Sequence, residues 1–217
     1  MRYLTIALAK GRLARLSVEI LMELGYDCSE ILDKNTRKLI FTDEKRKVKF
    51  ILVKAGDVPT YVEYGAADIG IVGRDTILEE GRNIYEMVDL KFGKCRMCVC
   101  GPSSFKGRLA EHTPLRVASK YPNIAKNYFD SKDISIELIK LSGSIELAPL
   151  TSLSDVIVDI VETGNTLYAN GLDVLEEICP LSARIIVNRV SAKMERERIK
   201  EIVSAMKEKV YSNDSNS

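Results

Sequence analysis

The chain has 217 residues, 46% hydrophobic and 29% charged, with 32 Lys and Arg against 31 Asp and Glu for a net charge of +1. That balance excludes bulk attraction to nucleic acid or an acidic membrane, and no apolar run approaches the roughly 20 residues that span a bilayer. The length fits one domain or two lobes of about 100 residues each, and five cysteines, an odd number in a chain too large to need staples, argue for a reducing cytoplasm rather than a disulfide framework.

Taken in order, residues 3–9 form a short apolar, partly β-branched run that reads as a buried strand. The basic turn Lys10-Gly11-Arg12 arrives too soon for a signal peptide. Leu13, Leu16, Ile20, Leu21 and Leu24 then recur at helical spacing as far as Gly25. Such strand-to-helix turns are where α/β proteins place ligands. Residues 38–41 and 48–53 read as a hairpin around a charged turn. Asp57 is expected to cap a helix with Pro59 in its first turn and Gly65 at its end. Residues 67–73 form another buried strand, with a helix from Thr76. A strand at 95–100 stops at Gly101-Pro102, and a looser polar stretch leads to a strand at 116–119, a turn at 120–123 and a helix at 125–129. A strand at 134–139 precedes the loop Leu141-Ser142-Gly143-Ser144-Ile145-Glu146. Ser154 is then expected to cap a short apolar helix, 155–162, that breaks at Thr163-Gly164. Residues 175–178 and 184–190 read as the last strands. The final helix, from Ser191, aligns Ile199, Ile202, Val203, Met206 and Val210 on one stripe, and a disordered polar tail is expected from Ser212. The stretch 92–114 and the region near Pro180 are the candidate crossings between lobes.

The break after 155–162 presents Thr163-Gly164-Asn165-Thr166-Leu167, a bare backbone flanked by two hydroxyls. Converging N–H groups and hydroxyl donors make a phosphate cradle. Asp159, upstream, reaches the diol of a sugar carrying that phosphate, so the pattern fits a 5-phosphoribosyl group. Read alone, the same residues serve equally as a plain helix end followed by a loop. Lys10 and Arg12 flank a glycine that admits close approach to the backbone, whereas Arg15 reads as solvated surface. Ser142-Gly143-Ser144 is a small-residue loop at a strand end. Glu146 is either a surface carboxylate or a partner for a hydroxyl or metal. Cys95, Cys98 and Cys100 have no second pair at zinc-like spacing and read as strand thiols. His112, in the loose polar stretch, receives no catalytic role.

Several stretches together resemble one family. They are Ala7-Leu8-Ala9-Lys10-Gly11-Arg12-Leu13, Asp57-Val58-Pro59-Thr60-Tyr61-Val62-Glu63-Tyr64-Gly65-Ala66-Ala67-Asp68-Ile69-Gly70, Arg116-Val117-Ala118-Ser119-Lys120-Tyr121-Pro122, Ser142-Gly143-Ser144-Ile145-Glu146-Leu147-Ala148-Pro149, and residues 155–167 extended through Asn170-Gly171-Leu172. The chain resembles the ATP phosphoribosyltransferases of histidine biosynthesis across nearly its whole length. Ser152, where the family usually has glycine, and Gly56, where larger residues are common, depart from the pattern.

The resemblance implies an α/β, two-lobe type II periplasmic-binding-protein-like fold with the active site in the interlobe cleft. Lobe I takes residues 1–91 and 181–217, and lobe II takes 92–180 with the phosphoribosyl-binding loop. The implied reaction joins ATP and phosphoribosyl pyrophosphate into phosphoribosyl-ATP and pyrophosphate, with Mg²⁺ carried by the substrate phosphates and no direct protein ligand. The implied form is the short one, a homodimer in a hetero-oligomer with a histidyl-tRNA-synthetase-like regulatory subunit, cytoplasmic, with no nucleic-acid or membrane partner. Asp159, Thr163, Gly164, Asn165, Thr166 and Leu167 then bind phosphoribosyl pyrophosphate. Lys10 and Arg12 stabilise the leaving phosphates, and Lys54, Ser142, Gly143, Ser144 and Glu146 face ATP or the cleft. A non-catalytic solute-binding module explains the same fold but gives no reason for Asp159 ahead of Thr-Gly-Asn-Thr. Phosphoribosyl transfer to another base is the second alternative.

Overall fold

The computed structural model describes residues 2–33 and 35–214, with the side chains of 213 and 214 left aside. The chain divides into two compact units, Met1–Gly93 with Ser182–Ser217, and Lys94–Leu181. The first unit opens with β1 (Leu4–Ala9), α1 (Arg12–Glu23), β2 (Ile40–Asp43), β3 (Val48–Val53), α2 (Val58–Glu63), β4 (Ile69–Gly73), α3 (Arg74–Glu80) and β5 (Tyr85–Asp89). The second contains β6 (Cys95–Gly101), β7 (Leu115–Ser119), α4 (Pro122–Asp130), β8 (Ile136–Lys140), α5 (Leu147–Leu150), β9 (Val156–Val161), α6 (Asn165–Ala169) and β10 (Asp173–Leu181). The chain then returns to the first unit with β11 (Ala183–Val187), α7 (Ser191–Met194) and α8 (Arg196–Asp214).

The first sheet runs β2-β3-β1-β4-β11-β5. Its centre, β3-β1-β4, is parallel, and β11 inserts antiparallel between β4 and β5. Alternation along β1 sends Leu4, Ile6 and Leu8 to one face and Ala7 and Ala9 to the other, so both faces are buried. Ile199, Ile202, Val203, Met206 and Val210 of α8 close the first face, in the same cluster as Leu4, Ile6 and Leu8. The second sheet runs β10-β6-β9-β7-β8, with β9, β7 and β8 parallel.

Several expectations change here. Residues 155–162 do not form a helix: β9 is the middle strand of the second sheet, and Ser154 precedes it rather than capping anything. Val156 and Val158 fill one cluster while Ile157 and Val161 fill the other. A strand buried on both faces loses its alternation and cannot be told from a buried helix by period alone, although β-branched residues favour the strand. Asp57 makes no side-chain cap to α2, because it lies in helical conformation within a preceding 3₁₀ turn, Ala55–Asp57. The strand β5 was not expected; it is a sheet edge that exposes Tyr85 and Met87, and its two acidic residues, Glu86 and Asp89, mask the strand signal. Of the tail expected from Ser212, residues 212–214 are instead the end of α8, and 215–217 lie outside the described residues.

One polar cluster fastens both termini of the first unit. The buried Asp68 carboxylate accepts from Arg2 at 2.7 Å, from the Thr5 amide at 2.8 Å and from the Ser191 hydroxyl at 2.6 Å. Burial pulls this carboxyl upward, but the Arg2, Ser191 and Thr5 donors outweigh it and hold the pKa below the ordinary value. A depressed folded pKa stabilises the fold above the unfolded pKa, about 3.9, and that stabilisation is lost as pH falls through the folded value. Asp68→Ala strands a buried amide and hydroxyl, so urea denaturation at pH 7 should show a loss of roughly 2–4 kcal/mol. The gap between variant and parent should narrow in acid below about pH 3.9; a gap independent of pH would contradict the assignment.

Candidate functional site

The turn from β9 into α6 builds a hollow of about 310 Å³ lined by Glu146, Asp159 and every residue from Ile160 to Leu167. Gly164 stands at φ 82°, ψ −2°, in the left-handed region. The left-handed backbone favours glycine, and a Cβ there would lie 2.8 Å from Cε2 of the exposed Tyr168 ring, which would have to shift. The Asn165 amide approaches Thr163 Oγ1 at 3.4 Å. Leu167 is buried among Ile145, Ile157 and Val161, which leaves its backbone facing the hollow and pins the loop to the sheet. Thr163, Asn165 and Thr166 are exposed. As expected for a turn opening a helix, the first N–H groups have no intrahelical acceptor.

Asp159 lies on the same face of β9 as Ile157 and Val161, half-buried, and its Oδ1 accepts the Ile160 amide at 2.8 Å. Burial is the main cause that raises its pKa above the ordinary carboxylate value; the Ile160 amide and Lys120 oppose the rise, and Glu146 adds to it. Glu146 and Asp159, distant in sequence, therefore share one wall. Ser142, Gly143 and Ser144 run exposed ahead of Glu146 and do not line this hollow. Ser144 adopts φ 49°, which turns the chain so that Ile145 enters the core and Glu146 faces outward.

In the first unit the parallel register pairs Ala9 with Val53, so Lys10 and Lys54 follow neighbouring strand ends. The Lys10 amide donates to the Val53 carbonyl at 2.9 Å. Gly11 takes φ 109°, ψ −148°, a conformation reserved for glycine, although a Cβ would meet nothing within 4 Å. Arg12 begins α1. Lys10 lines a hollow of about 440 Å³ with Ile31, Asp33, Thr36, Arg37, Lys38, Leu39 and Leu52. Arg37 and Lys38 are cations that sequence reasoning passed over; their adjacency just before β2 was the available signal. Lys38 contacts Glu30 at 2.6 Å, and Arg15 contacts Glu19 at 3.3 Å along α1.

The other candidates stay structural. Cys28, Cys98 and Cys100 are buried thiols outside any disulfide, and burial pushes the Cys28 thiol up to about 12. Among the described residues no group of three or more His, Cys, Asp or Glu could hold a metal ion. The exposed His112 packs on Phe105 with ring centroids 4.6 Å apart. No helix of the described residues is long and apolar enough to cross a membrane.

A family model described as ATP phosphoribosyltransferase (HisG) matches residues 54–208. The chain belongs to this family. A relative named ATP phosphoribosyltransferase from Lachnospira eligens is 64% identical over 208 residues, covering 95% of this chain and 96% of the relative. Its namesake from Clostridioides difficile is 55% identical over 210 residues, covering 96% and 99%. The solved ATP phosphoribosyl transferase (HisG:HisZ) complex from Thermotoga maritima matches at TM-score 0.81 and 34% identity, covering 97% of this chain and 98% of that one. The periplasmic aliphatic sulphonate binding protein SsuA from Escherichia coli matches at TM-score 0.60 and 14% identity, covering 100% of this chain and 71% of its own. That last likeness is one of fold, and it places the two α/β units among periplasmic-binding-protein-like folds.

Two substitutions test the hollow's construction. A carboxyl with a raised folded pKa opposes folding once ionised, so the cost appears as pH rises above the unfolded value of about 3.9. Asp159→Asn should therefore raise the melting midpoint of the ligand-free chain at pH 7, by about 2–4 °C per kcal/mol gained in a chain of this size. The gain should vanish below about pH 3.9, and a lowered midpoint at pH 7 would count against a strained carboxylate. Gly164→Ala should instead cost about 1–2 kcal/mol from the left-handed backbone alone, read as a lower urea midpoint.

Proposed function

We propose that the chain transfers the 5-phosphoribosyl group of phosphoribosyl pyrophosphate to N1 of ATP, giving phosphoribosyl-ATP and pyrophosphate, the first step of histidine biosynthesis, in the cytoplasm. The observation that carries this reading is the meeting of Asp159 with the loop 163–167 in one hollow of a family member. The loop amides and the Thr163 and Thr166 hydroxyls hold the 5-phosphate, and Asp159 accepts hydrogen bonds from the ribose diol. Glu146, on the same wall, faces the ribose or the water around a bound cation.

N1 of adenine carries its own lone pair, so no side chain has to remove a proton from the attacking atom. The barrier lies in breaking the C1–pyrophosphate bond through an oxocarbenium-like state. Lowering it calls for alignment of N1 behind that bond and for neutralising charge on the departing group. Lys10 and Arg12, with Lys54 beside them, supply fixed cations for phosphates, and Arg37 and Lys38 extend the same rim. The lining of the phosphoribosyl hollow contains acids and neutral donors but no Lys or Arg. A polyphosphate therefore enters with its own counter-ion, which fits Mg²⁺ held by the substrate. When bound, Mg²⁺ neutralises the leaving pyrophosphate. We further infer that the chain acts as the short-form catalytic subunit, a homodimer joined to a histidyl-tRNA-synthetase-like subunit. Support comes from its match to nearly the full length of its relatives and of the Thermotoga maritima chain solved in a HisG:HisZ complex.

Incubating the chain with the regulatory subunit, ATP, phosphoribosyl pyrophosphate and Mg²⁺ should yield phosphoribosyl-ATP. No product under these conditions would sink the reading. The double variant Thr163→Ala with Thr166→Ala should raise KM for phosphoribosyl pyrophosphate far more than KM for ATP, each lost charge-assisted bond costing about 1.5–3 kcal/mol. Equal effects on both substrates would reassign the loop.

A further inference from the structure

The phosphoribosyl hollow poses an electrostatic difficulty that its own lining does not solve. Glu146, Asp159 and Glu162 all border it, and the ligand proposed for it is polyanionic. Asp159 can accept two hydroxyl hydrogens only as a carboxylate, yet it is half-buried beside a second acid. The cation that the ligand carries serves its own pyrophosphate, so a countercharge for the Asp159 carboxylate has to come from the chain itself.

The strand register supplies one. Parallel pairing sets Val117 against Val156, Ala118 against Ile157 and Ser119 against Val158, so the next residues in line are Lys120 and Asp159. The turn after β7 is pinned at this point. The buried Ser119 hydroxyl donates to the Val158 carbonyl at 2.7 Å and accepts the Tyr121 amide at 2.8 Å. Both neighbours of Lys120 are thereby tied to the peptide that leads into Asp159. Pro122 then starts α4 and fixes the departing chain.

We propose that Lys120 is a positioning residue for phosphoribosyl binding, the countercharge that keeps Asp159 anionic beside Glu146. The inference rests on the phosphoribosyl reading of this hollow. The other charged or titratable groups around Asp159 do not do this work. Glu146 and Glu162 carry the same sign. Cys98, opposite Asp159 on β6, and Cys100 beside it are buried thiols. Arg96, opposite Val161, is engaged by Glu177 at 3.2 Å on the neighbouring strand. Lys140 ends β8, one strand beyond β7. Lys120, at the neighbouring strand end, is a cation whose charge opposes in part the burial-driven rise of the Asp159 carboxyl.

The test is the affinity for Mg²⁺-phosphoribosyl pyrophosphate, followed by calorimetry from about pH 5 to 9, for the parent chain, Lys120→Met and Lys120→Arg. The ligand's own phosphate titration is common to all three and drops out of the comparison. In Lys120→Met the acid limb should move to higher pH by about 0.5–1 unit. Affinity on that limb should be up to about tenfold weaker and should converge with the parent at alkaline pH. Lys120→Arg should restore the parent curve. In an Asp159→Asn background, Lys120→Met should leave the limb where it is. A loss equal at every pH would show Lys120 contacting the phosphates directly and would overturn the proposal, as would an unchanged curve. Parental affinity in Asp159→Asn alone would instead overturn the reading of the hollow, and this inference with it.

Discussion

The first unit depends on a single buried carboxylate. Its sheet is made of two segments separated by the whole second unit, and β11 must find its place between β4 and β5 after that excursion. Asp68, at the entrance to β4, holds Arg2 and Thr5 at the start of β1 and Ser191 at the start of α7. Three donors converge on one buried acceptor, so removing the acceptor leaves several groups unsatisfied at once. The neighbouring Asn188 repeats the device: its side-chain amide donates to the Val62 and Glu63 carbonyls, and its carbonyl accepts from Val190 and Ser191. Hydrophobic burial makes the sheet favourable, and these polar contacts decide where the returning segment sits.

The second unit shows the opposite economy. Asp68 is stabilised by its surroundings, whereas Asp159 is disfavoured by them: burial and Glu146 both act against its ionised form. On the proposed reading, a carboxylate held at some cost in the absence of ligand is stability given up for binding. The rest of the hollow is arranged so that this cost does not spread. Gly164 takes the left-handed turn without strain, and Leu167 anchors the loop in the core beneath it. Donors for an anion are thus presented on a rigid frame, while the strained group is confined to one side chain.

What the sequence disclosed follows the range of the interactions involved. Strand-to-helix turns at Lys10-Gly11-Arg12 and Thr163-Gly164-Asn165-Thr166 were legible because glycine, hydroxyls and cations adjacent in the chain stay adjacent in space. The element leading into the second turn was misread, since β9 is apolar on both faces and shows no period to separate strand from helix. The loop itself was unaffected by that error, because the hydroxyls and amides of 163–167 lie after the break whichever element precedes it, and they line one hollow with Asp159. The Asp68 cluster joins residues 63, 66 and 123 positions apart and left no local trace. Arg37 and Lys38 left only their adjacency as a trace, and it is packing that brings them to the hollow that Lys10 lines.

Charge is sorted between the two hollows, and the sorting bears on which chemical group each one takes. Around Lys10 the rim carries Arg37 and Lys38 together with one acid, Asp33, over an aliphatic floor of Ile31, Leu39 and Leu52, which on the proposed reading suits a flat base with a polyphosphate tail. Around Asp159 the walls are acidic and the donors neutral, a surface suited to hydroxyls and to one phosphate held by amides. Two cationic hollows would compete for either substrate, since both ligands carry several negative charges. Making one of them acidic penalises a bare polyphosphate and admits a phosphate only where loop amides receive it, with the sugar diol against the carboxylate. On the proposed assignment, discrimination between two highly charged ligands would come as much from the repulsion built into the β9–α6 hollow as from the attraction built into the β1–α1 turn.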